Sequence, residues 1–142
     1  MSIKEKQSEL IEEFSQVKSW EEKYKKIIDM GKALPKIDEE LYDEKYLVKG
    51  CQSQVWLHAE MSSDGQVVLK ADSDAMIVKG LVALLLRVYS NQTPGDILET
   101  PPDFMKELGL DSHLSPSRAN GFASMIKQIM MYAFAFQKLQ QK

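Results

Sequence analysis

The stretch that decides the fold is Gln54-Val55-Trp56-Leu57-His58-Ala59-Glu60-Met61, then Ser62-Ser63-Asp64-Gly65, then Gln66-Val67-Val68-Leu69-Lys70-Ala71. Val55, Leu57 and Ala59 alternate with Trp56, His58 and Glu60, and Val67, Leu69 and Ala71 recur at the same spacing. Successive side chains of a strand point to opposite faces, so each run offers one apolar face to a core. Asp64-Gly65 is a pair that accepts the backbone of a tight hairpin turn, so the spacing predicts two antiparallel strands. Leu47-Val48 reads as the start of a third strand, which Gly50 then breaks.

Beyond the hairpin the period changes. Residues 75–89 contain Gly80-Leu81-Val82-Ala83-Leu84-Leu85-Leu86, and their apolar positions cover most faces of a helix. Such a helix packs centrally, with Ser73 or Asp72 at its cap. Asp72 and Asp74 then read as helix N-terminal acids rather than a metal pair. Thr93-Pro94 starts a short helix, 103–108 makes another that Gly109 ends, and Ser115-Pro116 opens a long helix to about position 138. Phe122, Met125, Ile126, Ile129, Met130, Ala133 and Phe136 form the stripe that this last helix buries, with Met131 read as further core filling.

Upstream, Ser2 with Glu5 and Ser19 with Glu22 have capping-box spacing ahead of two amphipathic helices. Gly31 suits the end of the second, and Pro35 stops its continuation. Residues 36–46 are charged and irregular, with room for one short helical turn. Helices, a small antiparallel sheet of about three strands, then helices make an α+β fold. The 142 residues suit a single domain, 1–142.

Composition narrows the function. The net charge is −3 and Lys and Arg form no run, so nothing draws the chain to nucleic acid. The longest apolar stretch falls well short of the roughly 20 residues of a membrane span. The N-terminus lacks a signal peptide's apolar run, so the chain is expected in the cytoplasm. Cys51 is the only cysteine, and His58 and His113 are the only histidines. That set is too sparse for a metal or iron–sulfur site within one chain, and no phosphate-cradling glycine motif occurs; no metal and no cofactor are expected.

One cysteine can still be a nucleophile. Cys51 lies in Gly50-Cys51-Gln52-Ser53-Gln54, between a glycine break and a strand, among polar neighbours rather than in a core alternation. A loop cysteine beside glycine can present its sulfur to a partner. Its thiolate needs a nearby cation or helix N-terminus, and Arg118 or His113 is a candidate. The residues alone leave three readings: a reactive thiol presented to a partner, an independent thiol enzyme using Cys51 with His113 or His58, and an interaction module with a structural cysteine.

Four blocks in order discriminate among these. Trp20-Glu21-Glu22-Lys23-Tyr24, Gly50-Cys51-Gln52-Ser53-Gln54-Val55-Trp56, Ser73-Asp74-Ala75 with Ile77-Val78-Lys79-Gly80-Leu81, and His113-Leu114-Ser115-Pro116-Ser117-Arg118 together resemble the SufE/CsdE family of sulfur-acceptor proteins. The resemblance runs from about Leu10 to Ala133; it departs at Ser115, where threonine is frequent, and in the tail. It implies a fold like that of the IscU-type iron–sulfur scaffold. It also implies that Cys51 takes a persulfide sulfur from a pyridoxal-phosphate cysteine desulfurase of the SufS or CsdA kind, stimulates that enzyme, and passes the sulfur to a SufBCD-like scaffold. The chain is then an accessory protein rather than an enzyme. Gly50, Gln52, Ser53, Asp74 and Arg118 are the implied supporting and partner-binding residues, with Arg118 either pairing with an acidic desulfurase surface or stabilising the thiolate. The resemblance further implies a thiol tucked inward at rest that swings out about Gly50 on docking. An apolar patch near the loop leaves room for a weak homodimer.

Overall fold

The computed structural model describes residues 1–140, apart from the side chain of Asp111. Helix α1 (Ile3–Ser15) opens on a full capping box: the Ser2 hydroxyl accepts from the Glu5 N–H, and the Glu5 carboxylate accepts from the Ser2 N–H. Helix α2 (Trp20–Lys32) is capped by Ser19 in the same way on its hydroxyl side. Gly31 does not end α2 as its sequence position suggests. It lies inside the helix, buried where α2 crosses the next long helix, and a Cβ there would come within 2.7 Å of the Gly80 N.

Strands β1 (Val55–Met61) and β2 (Val67–Ser73) form the expected hairpin, pairing from Val55 with Ser73 to Met61 with Val67. The third strand does not form. Leu47 makes one isolated bridge to Trp56, and Gly50, at φ 93°, turns the chain away before a ladder can extend. On the other edge Val67 bridges Gln92, and the Ser90 hydroxyl accepts from the Leu69 N–H. Among the described residues the fold is therefore α+β with a two-stranded sheet.

Helix α3 (Met76–Tyr89) packs on β2 and α2 with Leu81, Leu84 and Val88 fully buried, as its apolar run predicts. Neither Asp72 nor Ser73 caps it; both belong to β2, and Ala75 precedes the first turn with no side-chain cap. After α4 (Pro94–Glu99) come α5 (Phe104–Leu108) and α6 (Leu110–His113), the latter a turn of helix that the sequence reading misses behind Gly109. Helix α7 (Pro116–Gln140) buries Phe122, Met125, Ile129 and Ala133 against α3, α4 and β1. Met131, read as core, is 56% exposed instead. One core joins all of these, each fully buried Leu, Ile or Phe contributing about 1.5–3 kcal/mol. No helix among the described residues is long and apolar enough to cross a membrane.

The irregular stretch before the hairpin has a definite task. It makes two 3-10 turns, Glu39–Leu41 and Glu44–Tyr46, and lays aromatic rings on the second face of β1. Tyr42 meets Trp56 edge-on at 4.9 Å, and Tyr46 meets His58 at 5.1 Å. The Tyr42 hydroxyl also donates to the Asp72 carboxylate, which pairs with Lys79 at 3.1 Å. Burial pushes the Asp72 carboxyl up, but the Tyr42 hydroxyl, the Ser73 N–H and Lys79 together hold it below its usual value, while Tyr42 is pushed up to about 12. Asp72 thus links the 3-10 segment, the end of β2 and the start of α3.

Candidate functional site

The loop 49–53 is tied at both ends. On one side the Val48 N–H donates to the Val55 carbonyl at 2.8 Å. On the other, Gln54 is held by three bonds. The Ser73 hydroxyl donates to its carbonyl at 2.8 Å, the Asp74 N–H donates to that carbonyl at 3.3 Å, and its own N–H donates to the Asp74 carboxylate at 3.0 Å. Between these ties Gly50 adopts the left-handed backbone that side chains rarely accept.

Helix α7 gives the loop its seat. Gly121 and Ser124, one turn apart, are small enough for the chain to lie against the helix. A Cβ on Gly50 would come within 2.6 Å of the Ser124 Oγ, and one on Gly121 within 3.4 Å of the Cys51 Sγ. The Cys51 thiol is half-buried and donates to the Gly121 carbonyl at 3.4 Å. Burial pushes its pKa above that of an ordinary thiol. The thiol is thus turned toward α7 in a setting that favours its protonated form.

Cys51, Gln52 and Ser53 form one wall of a groove of about 590 Å³. The start of α3, from Ala75 to Val78, forms the second wall, and Ser115, Ser117 and Arg118 at the start of α7 form the third. The Ser115 hydroxyl accepts from the Arg118 N–H, which fixes that turn and leaves the guanidinium exposed at the rim. From there it does not offset the rise in the Cys51 pKa.

The structure therefore brings Cys51, Gln52, Ser53 and Arg118 to one groove and sets Gly50 behind it. Asp74 is exposed and lines the adjacent groove; its carboxylate is a loop tie, not the helix N-terminal acid its position suggests. The two histidines lie elsewhere. His113 stacks on Trp20 with centroids 3.7 Å apart, and His58 stands against Tyr46; neither lines the cysteine groove. Among the described residues no group of three His, Cys, Asp or Glu side chains could hold a metal ion. The sequence reading missed Ser73, Met76, Gly121 and Ser124. The last two carried a signal, two small residues three apart beside the bulky stripe of α7.

Two measurements follow from this geometry. Alkylation of Cys51 by iodoacetamide at pH 8 should be slower in the folded protein than in urea. Its rate should climb with pH through a midpoint above the ordinary thiol value, because the folded state favours the protonated form; equal rates in the two states would contradict the inward seat. An Asp74→Ala substitution removes one loop tie, a bond worth about 1 kcal/mol, and should speed that labelling about fivefold. A labelling rate unchanged by the substitution would mean that the tie does not restrain the loop.

Known proteins place these features in context. A family model described as SufE, Fe-S metabolism associated domain, matches residues 8–133. The solution structure of a hypothetical protein from Thermus thermophilus is similar, with a TM-score of 0.77 at 22% sequence identity. The likeness covers 94% of this chain and 96% of that one, and it concerns the fold.

Proposed function

From the premise that this chain belongs to the SufE family of Fe-S metabolism associated domains, we propose that it is a sulfur relay whose carrier atom is the Cys51 Sγ. The observation that carries this reading is the lone thiol on a loop tied at both ends, set in an open groove and kept protonated until something displaces it.

The donor is the persulfide of a pyridoxal-phosphate cysteine desulfurase of the SufS or CsdA kind. The Cys51 thiolate attacks the outer sulfur of that persulfide. A new sulfur–sulfur bond forms on Cys51, the donor's own sulfur–sulfur bond breaks, and the donor cysteine leaves as a thiolate that takes up the proton Cys51 lost. No external oxidant is needed, since one persulfide replaces another. A second exchange at an iron–sulfur scaffold of the SufBCD kind discharges the sulfur.

A raised pKa makes the resting thiol a poor nucleophile, so docking must expose it. Gly50, whose backbone already lies in the left-handed region, is the hinge about which the loop swings. Gln52, Ser53 and Arg118 meet the donor, and Asp74 sets how readily the loop leaves its seat. One cysteine suffices because it receives, holds and gives up the same atom.

Intact-mass measurement under non-reducing conditions tests the reading. After incubation with a cysteine desulfurase and L-cysteine, the protein should gain one sulfur atom that a thiol reductant removes. A mass unchanged with desulfurases of both kinds would overturn it. With the desulfurase bound but L-cysteine withheld, Cys51 should label faster than in the free protein; an unchanged rate would sink the swing.

A further inference from the structure

The sequence block that opens α2 lies away from the cysteine groove, and the structure joins it to the block that leads into α7. Trp20, at the first turn of α2, stacks on His113 at the end of α6, with centroids 3.7 Å apart and planes within 16°. The Tyr24 hydroxyl, one turn on, donates to the His113 carbonyl at 2.6 Å. The Lys23 ammonium lies 4.6 Å from the centre of the Trp20 ring. Gly109 leaves the benzo edge of that ring its space, since a Cβ there would come within 2.9 Å of it. The His113 ring is fixed in turn, its Nδ1 standing 3.1 Å from both the Gly109 carbonyl and the Ser112 hydroxyl. Only Leu114 separates His113 from Ser115, whose hydroxyl accepts from the Arg118 N–H. Residues 115–120 include no buried side chain, and the buried residues of α7 begin at Gly121. A terminal helical turn with nothing buried frays unless the chain leading into it is held. The aromatic contacts to α2 hold it.

We infer that Trp20, Tyr24 and His113 are positioning residues of the relay: they clamp the start of α7 and so set where Ser115 and Arg118 stand at the rim of the cysteine groove. None of the three lines that groove, so each acts through another residue rather than on the sulfur. This role rests on the relay reading, in which Arg118 meets the donor. An exposed arginine has many rotamers, and a fixed helical turn beneath it reduces the ordering that docking costs. The clamp therefore governs how tightly the donor is held, and leaves the reactivity of Cys51 as it is.

The test follows sulfur loading onto Cys51 by intact mass against the concentration of a purified cysteine desulfurase supplied with L-cysteine. His113→Ala removes the stack, and Tyr24→Phe removes one hydrogen bond while keeping its ring. Each should raise the half-saturating concentration about fivefold and leave the plateau rate of loading unchanged. His113→Phe puts a ring back on Trp20 and should return the value to within about twofold of the wild type. Arg118→Ala should raise it as the clamp variants do, and adding His113→Ala to Arg118→Ala should change it by less than about twofold more. Circular dichroism confirms that each variant is folded, and a loss of stability alone gives neither the rescue nor the non-additivity. The clamp is overturned, while the relay stands, by an unchanged half-saturation in His113→Ala or Tyr24→Phe. It is equally overturned by a His113→Phe protein no better than His113→Ala, or by effects of His113→Ala and Arg118→Ala that multiply. If the wild type takes up no sulfur with desulfurases of both kinds, the relay reading fails and the clamp falls with it.

Discussion

Replacing Gly80 with alanine should cost about 3 kcal/mol or more, the upper part of the range for forcing atoms into a filled core. Helices α2 and α3 cross at Gly31 and Gly80, and neither has room for a side chain. A Cβ on Gly80 would overlap the Ile27 carbonyl oxygen and come within 2.7 Å of its carbonyl carbon. These are backbone atoms, which cannot rotate aside, so the helices would have to separate and Ile27 and Leu81 would lose their packing. Urea unfolding checks this. Gly95→Ala is the control, because a Cβ there meets only the end of Gln137 at 3.7 Å and helix propensity favours alanine. A Gly80→Ala protein that unfolds at the wild-type midpoint would show that the crossing is looser than described.

The second large effect is on function. Cys51→Ser should abolish sulfur loading, to below detection by intact mass, while changing stability by less than about 1 kcal/mol. Serine nearly matches cysteine in size, and its hydroxyl can donate to the Gly121 carbonyl as the thiol does. The fold and the groove survive, but an alcohol does not form the sulfur–sulfur bond that the exchange requires. A serine variant that still gains a reducible sulfur would place the acceptor elsewhere and overturn the relay.

Much of this architecture is legible in the chain because local rules and burial agree there. The hairpin, the Ser2 cap, the Thr93-Pro94 start and the buried stripe of α7 each follow from one period or one cap. The failures have a common cause. Gly31 looks like a helix end because local chemistry favours glycine there, but a crossing helix 49 positions away in sequence needs the same absence of a side chain. Ser73 looks like a helix cap and Asp74 like a helix N-terminal acid, yet the Gln54 backbone takes their hydroxyl and carboxylate. Residues 36–46 look irregular because their partners, Trp56, His58 and Asp72, lie on strands that they reach only after folding. At the site, Cys51 is visible from its own neighbours, and the family blocks add Arg118. The seat on Gly121 and Ser124 leaves only a faint local trace, two small residues three apart, because it depends on how α7 lies across the loop.

The bridges on either side of the hairpin have a further consequence. A sheet of two strands has two rims, and each exposes amide and carbonyl groups on which a stranger's backbone could zip. Here Leu47 occupies one rim and Gln92 the other, with the Ser90 hydroxyl beside it. Strand addition at these rungs would have to displace the protein's own chain, which favours contacts with other chains through side chains and loops there.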